Sequence, residues 1–214
     1  MAEILSVIAQ ENIMILDYLD IGTSDFETSL DHWQPGKNIL LVEPMWNYLC
    51  ALPHPAGVMK QCAAISDRSG TCEIFYIPPA MIAAFNLPDW VRGCNSINQP
   101  HPNVQQVLQQ RNISPSVIQR QTVLMMTFHQ LCDLYNITAI GSLKMDTEGH
   151  DHVILQQVID RLSANVLVCD EITFEYKEIF QNISELDGLR NRLYQLFWTQ
   201  TSQHGDNCTF AAPK

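Results

Sequence analysis

Three apolar runs in this chain each arrive at a carboxylate: Leu16-Asp17-Tyr18-Leu19-Asp20-Ile21-Gly22-Thr23-Ser24, Leu40-Leu41-Val42-Glu43-Pro44 and Leu143-Lys144-Met145-Asp146-Thr147-Glu148-Gly149. An apolar run of strand length that stops at an acid reads as a buried parallel strand delivering a polar group to the rim of a sheet. In open α/β sheets, ligands bind outside the carboxyl ends of the strands. The interval between Asp20 and Glu43 holds one short helix, which makes a βαβ unit with an acid ending its second strand. That arrangement suits a nucleoside, whose ribose diol needs a carboxylate acceptor. The first turn carries one glycine, Gly22, rather than the three of a dinucleotide fingerprint, so a ligand without a diphosphate fits better.

The rest of the chain supports one α/β domain over residues 1–214. At 214 residues with 46% hydrophobic content there is material for one core, and two domains would be cramped. The formal net charge of −11, from 12 basic and 23 acidic residues, excludes wrapping of a phosphate backbone, so nucleic acid is not an expected partner. Seven cysteines include no Cys-x-x-Cys pair, and Cys62, Cys132 and Cys169 lie in apolar runs. Buried free thiols in a reducing, cytoplasmic compartment follow. Ile4, Leu5, Val7 and Ile8 follow no basic region and are interrupted by Glu3, Gln10 and Glu11, which reads as neither a signal peptide nor a membrane span.

Helical spacing is expected at 2–10, then strands over 13–21 and 38–43 with a short helix at 25–32 between them. A helix at 45–52, a strand at 57–65, a turn at 66–70 and a paired extended segment at 71–77 follow. From 78 to 115, Pro, Asn, Gln and Ser interrupt every period, so this segment is expected to be an irregular excursion over the rim. Strands at 117–125, 139–146, 165–175 and 208–211 then alternate with helices at 127–135, 150–162 and 184–197. Such alternation predicts a mostly parallel, doubly wound sheet.

Lys144 and Asp146 share one strand face. A lysine within an apolar strand is costly unless paired, and Asp20, Asp146, Glu148 and Glu175 are candidate partners; a structural ion pair and a catalytic role both stay open. Glu175 ends its run as Glu43 does. His150 and His152 could accept a proton or a metal, or simply cap a helix, and His101 lies in the excursion where it could face a substrate. Oxygen ligands such as Asp146 and Glu175 suit a divalent metal such as magnesium.

With these residues in view, the chain resembles the FkbM family of S-adenosylmethionine-dependent methyltransferases over nearly its whole length. The carriers are Asp20-Ile21-Gly22, Val42-Glu43-Pro44, Ala64-Ile65-Ser66-Asp67 with Gly70, and above all Lys144-Met145-Asp146-Thr147-Glu148-Gly149, supported by Phe174-Glu175 and Asp206-Asn207-Cys208-Thr209-Phe210. The resemblance implies a Rossmann-like, seven-stranded, class I methyltransferase sheet and O-methylation of a hydroxyl on a sugar, glycan or natural product. It assigns the ribose to Glu43 and Pro44, the methionine moiety to Asp20, Gly22, Thr23 and Ser24, and the adenine edge to Ala63 and Ala64. Asp146 becomes the base, with Lys144, Glu175 and His150 as helpers, and Asn95, Ser96, His101 and Glu148 become acceptor contacts. One departure is Thr23-Ser24-Asp25-Phe26, which stands where relatives often carry a second small-residue turn. The alternatives are a non-carbohydrate acceptor, a nicotinamide-dependent oxidoreductase, and a binding module that has lost turnover. With little chain before the first strand, selectivity is expected from 78–115, and association or fusion with glycosyltransferase domains is an expected context.

Overall fold

The computed structural model of the protein describes residues 13–25 and 28–213. The helical spacing at 2–10 lies outside them, and so does part of the expected 25–32 helix, of which a 3-10 turn at Ser29–His32 is seen. In chain order the strands are β1 (Met14–Ile21), β2 (Ile39–Val42), β3 (Val58–Gln61), β4 (Ala64–Ser66), β5 (Gly70–Tyr76), β6 (Gln119–Thr127), β7 (Ile137–Met145), β8 (Val168–Glu175), β9 (Thr199–His204) and β10 (Asn207–Ala211). The helices are α1 (Trp46–Ala51), α2 (Pro79–Ala84), α3 (Pro102–Gln110), α4 (Phe128–Tyr135), α5 (Asp151–Ser163) and α6 (Ile183–Gln195).

Seven strands form one sheet in the order β3-β2-β1-β7-β8-β10-β9. The pairings from β3 through β8 are parallel, and β10 runs antiparallel to both of its neighbours. Successive β2 residues feed different cores. Leu40 and Val42 pack with Phe128 and Leu131 of α4 and Ile154 and Val158 of α5, whereas Ile39 and Leu41 pack with Leu49 of α1. Side-chain alternation along a strand buried on both faces requires this.

Register explains why the acids meet. Ile21 pairs with Val42 on one side and with Met145 on the other, so the residues that follow, Gly22, Glu43 and Asp146, lie in one row at the carboxyl rim. Backbone bonds continue the ladders there, from Gly22 N–H to Val42 O and from Asp146 N–H to Ile21 O, both 2.9 Å. Lys144 pairs with Thr173, which brings Glu175 to the same row. At Gly22, φ is +83° and a Cβ would overlap the Asp146 carbonyl, so only glycine fits this crossing of strand ends. Gly22→Ala is expected to lower the melting temperature by about 2–4 °C per kcal/mol lost in a domain of this size. An unchanged melting temperature together with unchanged cofactor affinity would refute that role.

Two expectations differ from the structure. The run at 57–65 is two strands: β3 belongs to the main sheet, while β4 joins a second sheet of order β4-β6-β5. The 78–115 excursion is also more ordered than its composition suggests. It holds α2, α3 and a 3-10 turn at Asp89–Arg92, closed over a small core of Ile77, Ile82, Leu87, Val91, Val104, Leu108 and Val117. Pro79 and Pro102 begin these helices rather than break them, because a first-turn N–H has no partner to lose. All seven cysteines are free thiols, with Cys132, Cys169 and Cys208 buried and Cys62 half-buried. Among the described residues no helix is long and apolar enough to cross a membrane.

Candidate active site

The loops that leave the rim enclose a cavity of about 490 Å³, solvent at its mouth included. Gly22 and Ser24 come from the loop after β1, Glu43 and Pro44 from the end of β2, and Ala63, Ala64 and Ile65 from the β3–β4 segment. Asp146, Thr147 and His150 come from the loop after β7, and Gly93, Asn95 and Ile97 from the excursion. Most of the lining is apolar, which suits a flat heterocycle, and Glu43 is the buried acid that faces it.

Glu43 is 4% exposed. Its Oε2 accepts the Ser24 N–H at 3.0 Å and its Oε1 accepts the Met45 N–H at 2.9 Å, so both loops are tied to one carboxylate. Each oxygen keeps a further lone pair for a hydroxyl. Burial nevertheless pushes the group up to about 7, outweighing the two N–H donors that favour the anion. The folded protein therefore holds this proton more tightly than the unfolded chain does. Its contribution to stability is complete below the unfolded value of 4.5 and is lost as pH rises through about 7.

Asp20 is fully buried and does not line the cavity. Its Oδ2 accepts the Ser29 N–H at 2.7 Å, the Ser29 hydroxyl at 3.1 Å and the Thr23 hydroxyl at 3.4 Å, which fixes the path of the loop that carries Gly22 and Ser24. It acts on the cavity through that loop.

A second, wider basin opens beside the first. It shares Gly22, Ser24, Gly93 and Asp146 with it and adds Thr23, Trp90, Cys94, His101, Asn103, Lys144, Glu148, Glu175, Lys177, His204 and Asn207. Asp146 stands at the junction. Its Oδ2 is 3.7 Å from the Lys144 ammonium, and burial raises its pKa above the usual carboxylate range despite that lysine, with Glu148 and Asp151 adding to the rise. Glu175 is 5% exposed and ion-paired to Lys177, which also lies 3.6 Å from Asp206. Desolvation and the neighbouring Asp146 push Glu175 upward in the same way.

His150 is committed to structure. Its Nε2 meets the Ser66 hydroxyl at 3.0 Å and its Nδ1 meets Asn98 Oδ1 at 2.9 Å, tying β4 and the excursion to the β7–α5 loop. Burial and the nearby His152 lower its pKa to about 4, so at neutral pH it is an uncharged spacer with both nitrogens engaged. His152 pairs with Asn182 at 3.0 Å. Asn95 lines the first cavity, whereas Ser96 lines neither chamber and donates its hydroxyl to the Glu148 carbonyl at 3.1 Å.

Three residues in or beside the two chambers escaped the sequence reading. Asp151, fully desolvated, accepts the Thr147 N–H at 2.9 Å, the Thr147 hydroxyl and the Glu175 N–H at 2.7 Å, and so clamps the β7 loop to the end of β8. An acid in the first turn of a helix just after Gly149 was the available signal. Lys177 follows Glu175 at strand spacing, a pattern that could have flagged it. Trp90, 42% exposed at the basin, had no local signal.

Two cation positions can be judged from the donors. At Glu175 the Lys177 ammonium is ion-paired to Oε1, while Oε2 is buried without a hydrogen-bond partner. Cys94, His101 and Glu148 bring ligand atoms within 4.8 Å of one another. There, however, His101 Nδ1 accepts the Asn103 N–H at 3.1 Å, which leaves the ring proton on Nε2, the nitrogen that faces Glu148 at 3.0 Å. A metal at Nε2 would have to displace that proton and reverse the tautomer.

No curated protein matches the chain. The methyltransferase FkbM domain matches residues 20–196, a span that runs from Asp20 through Glu43 and Asp146 to the end of α6. The row of rim residues and the cavity above it therefore lie within the matched region, and the chain belongs to the FkbM methyltransferase family.

Proposed function

We propose that the protein is an S-adenosylmethionine-dependent O-methyltransferase acting on a hydroxyl of a sugar or glycan, built on a doubly wound class I sheet. The observation that carries this reading is the pair of chambers meeting at Gly22 and Asp146: one is mostly apolar with a buried ribose-type acid, and the other is rich in hydrogen-bonding groups beside an exposed Trp90. A sugar presents apolar C–H faces and hydroxyl edges, and an aromatic wall beside carboxylates and amides meets both. The first chamber suits the cofactor because Glu43 retains acceptor capacity at its mouth and Gly22 leaves the backbone bare. S-adenosylmethionine, when bound, supplies an electrophilic methyl group.

The chain's own residues do the rest. Glu43 holds the ribose hydroxyls, Pro44, Ala63 and Ala64 border the nucleoside, and Gly22 and Ser24, set by Asp20 and Thr23, receive the methionine end. Asp146 takes the proton from the attacking hydroxyl, with Lys144 and Glu175 beside it. A pKa above the ordinary carboxylate range improves Asp146 as a base, because proton transfer is most efficient when the base's pKa approaches the working pH. Alignment of the two partners adds several kcal/mol. The ammonium partners of Asp146 and Glu175 supply the positive charge a magnesium ion would bring, so turnover is proposed to persist in EDTA.

Calorimetry with S-adenosylhomocysteine against NAD tests the cofactor. Binding of the former alone is expected; binding of NAD would favour the oxidoreductase. Affinity is also expected to respond to pH with a defined sign. Two ribose hydroxyls are best accepted by an ionised Glu43, so the dissociation constant should be level above pH 8 and rise as pH falls below about 7, approaching tenfold per unit. An affinity constant from pH 8 to 5.5 would remove Glu43 from the ribose.

A further inference from the structure

We propose that the acceptor carries a protonated amine beside the hydroxyl that is methylated, as an amino sugar does, and that Glu175 holds the amine. The inference rests on the functional reading above, and it narrows the acceptor to a cationic class.

The basin is short of positive charge. Among the described residues that line it, the carboxyls of Asp146, Glu148, Glu175 and Asp206 stand with two ammonium groups, those of Lys144 and Lys177. Burial pushes the Glu175 pKa up, and Asp146, Glu148 and Asp151 push it further, because the group has more negative neighbours than positive ones. The cofactor's sulfonium does not answer this. It belongs at the junction of the chambers, whereas Glu175 lines the basin and not the first cavity.

Glu175 is fixed in place and left half satisfied. Its N–H donates to Asp151 Oδ2 at 2.7 Å, and β10 pairs with its other side, Asn207 opposite Glu175. Oε1 is ion-paired to Lys177, and Oε2 is buried without a hydrogen-bond partner. An unpartnered oxygen on a residue 5% exposed is costly, and a strong donor brought by a ligand removes that cost. Lys177 gives the donor its way in. Its ammonium also lies 3.6 Å from Asp206, whose side chain is 62% exposed, so an arriving ammonium can take the place beside Glu175 while Lys177 swings to Asp206. No charge is stranded by the exchange. A neutral acceptor brings no charge to exchange.

One small molecule can satisfy the whole arrangement. Asp146 and Glu175 stand at the ends of neighbouring parallel strands, β7 and β8. Such strands lie about 4.8 Å apart, a gap that a hydroxyl and an amine on adjacent ring carbons can bridge. Trp90, on the same basin, offers its face to ring C–H groups and to the cation. An ammonium held by carboxylates keeps its proton and has no lone pair for the methyl group. The methyl group therefore goes to the oxygen beside Asp146.

The first arm of the test needs no turnover. With S-adenosylhomocysteine bound, calorimetry compares methyl glycosides of glucosamine, galactosamine and mannosamine with their neutral parents and their N-acetyl derivatives. At least one amine should bind about tenfold to a hundredfold tighter than both, the range of one hydrogen bond to a charged group. Glu175→Gln should remove that preference and leave the neutral parent within about threefold. Lys177→Met, which keeps the stem and removes the competing ammonium, should instead strengthen the amine by about threefold or more; a purely structural pair would weaken it in both variants. In the second arm, labelled S-adenosylmethionine should place its methyl group on an oxygen of the preferred amino sugar. Label on nitrogen overturns the proposal, as does an amine that binds no better than its parent or a preference that survives Glu175→Gln. Glu175→Gln that weakens S-adenosylhomocysteine itself tenfold also overturns it, since the cofactor's own ammonium would then fill the site. Absence of S-adenosylhomocysteine binding takes down the functional reading and this proposal together, whereas indifference to amines in a protein that binds it takes down this one alone.

Discussion

Glu43→Ala is expected to weaken S-adenosylhomocysteine binding by two to four powers of ten. The size follows from two losses. Two hydroxyl contacts to a charged acceptor are each worth about 1.5–3 kcal/mol, and each 1.4 kcal/mol is a factor of ten in affinity. The substitution also orphans the Ser24 and Met45 N–H groups, which the carboxylate now ties at 3.0 and 2.9 Å, so the loops on both sides of the cavity lose their common anchor. Calorimetry measures the first effect, and amide hydrogen exchange at Ser24 and Met45 measures the second. Glu43→Gln separates them. It keeps one acceptor oxygen but turns an amide NH2 toward a backbone N–H, so it should bind better than the alanine variant and worse than wild type. An alanine variant that binds within threefold of wild type would show that the ribose is held elsewhere. In the same variant the apo protein should lose part of its stabilisation on acidification, because the carboxyl that gains a proton on folding below about pH 7 is gone.

For Asp146→Asn the expected result is the opposite split: cofactor affinity within a few-fold of wild type and turnover reduced about 10²–10⁴-fold, the range of a positioned general base. Asparagine matches the shape of the side chain that borders both chambers but cannot take a proton. Single-turnover methyl transfer with labelled cofactor isolates that step from product release. The pH profile offers an independent check. Since burial beside Glu148 and Asp151 holds the Asp146 pKa above the ordinary carboxylate range, the acid limb of wild-type turnover should lie well above pH 4, and it should disappear in the variant. Turnover of normal rate in Asp146→Asn would end the base assignment. Lys144 would then deserve the next substitution, because its ammonium lies 3.7 Å from Asp146.

Much of the main sheet was legible because buried parallel strands leave a plain trace. The runs ending at Ile21, Val42, Met145 and Glu175 are apolar, of strand length and closed by a turn residue or an acid, and each is a strand to within a few residues. β9 left no such trace. Its sequence, Thr-Gln-Thr-Ser-Gln-His, is nearly all exposed on the sheet edge, where no apolar face is required. The division of 57–65 into two strands was hidden because Val58–Gln61 and Ala64–Ser66 are both apolar enough to be strands, and only the partners differ. Within the excursion, proline and glutamine masked helices whose buried positions, such as Val104 and Leu108, are too few to set a period.

The sequence by itself determined that three parallel strands would carry acids at or next to their carboxyl ends, and the structure brings two of them, Glu43 and Asp146, to the rim beside Gly22. The sequence also carried the Lys144-Met145-Asp146-Thr147-Glu148-Gly149 string on which the family resemblance rests. Tertiary structure alone decided how the acids differ. Asp20, Glu43, Asp146 and Glu148 are alike as residues in a string, yet Asp20 is sealed against Ser29 and Thr23, Glu43 faces the first cavity, Asp146 borders two chambers and Glu148 lies 3.0 Å from a histidine 47 positions away. The reason is that a carboxylate's role is set by what surrounds it. Burial, donors and neighbouring charge come from segments far apart in the chain, and only folding brings them to within hydrogen-bond distance.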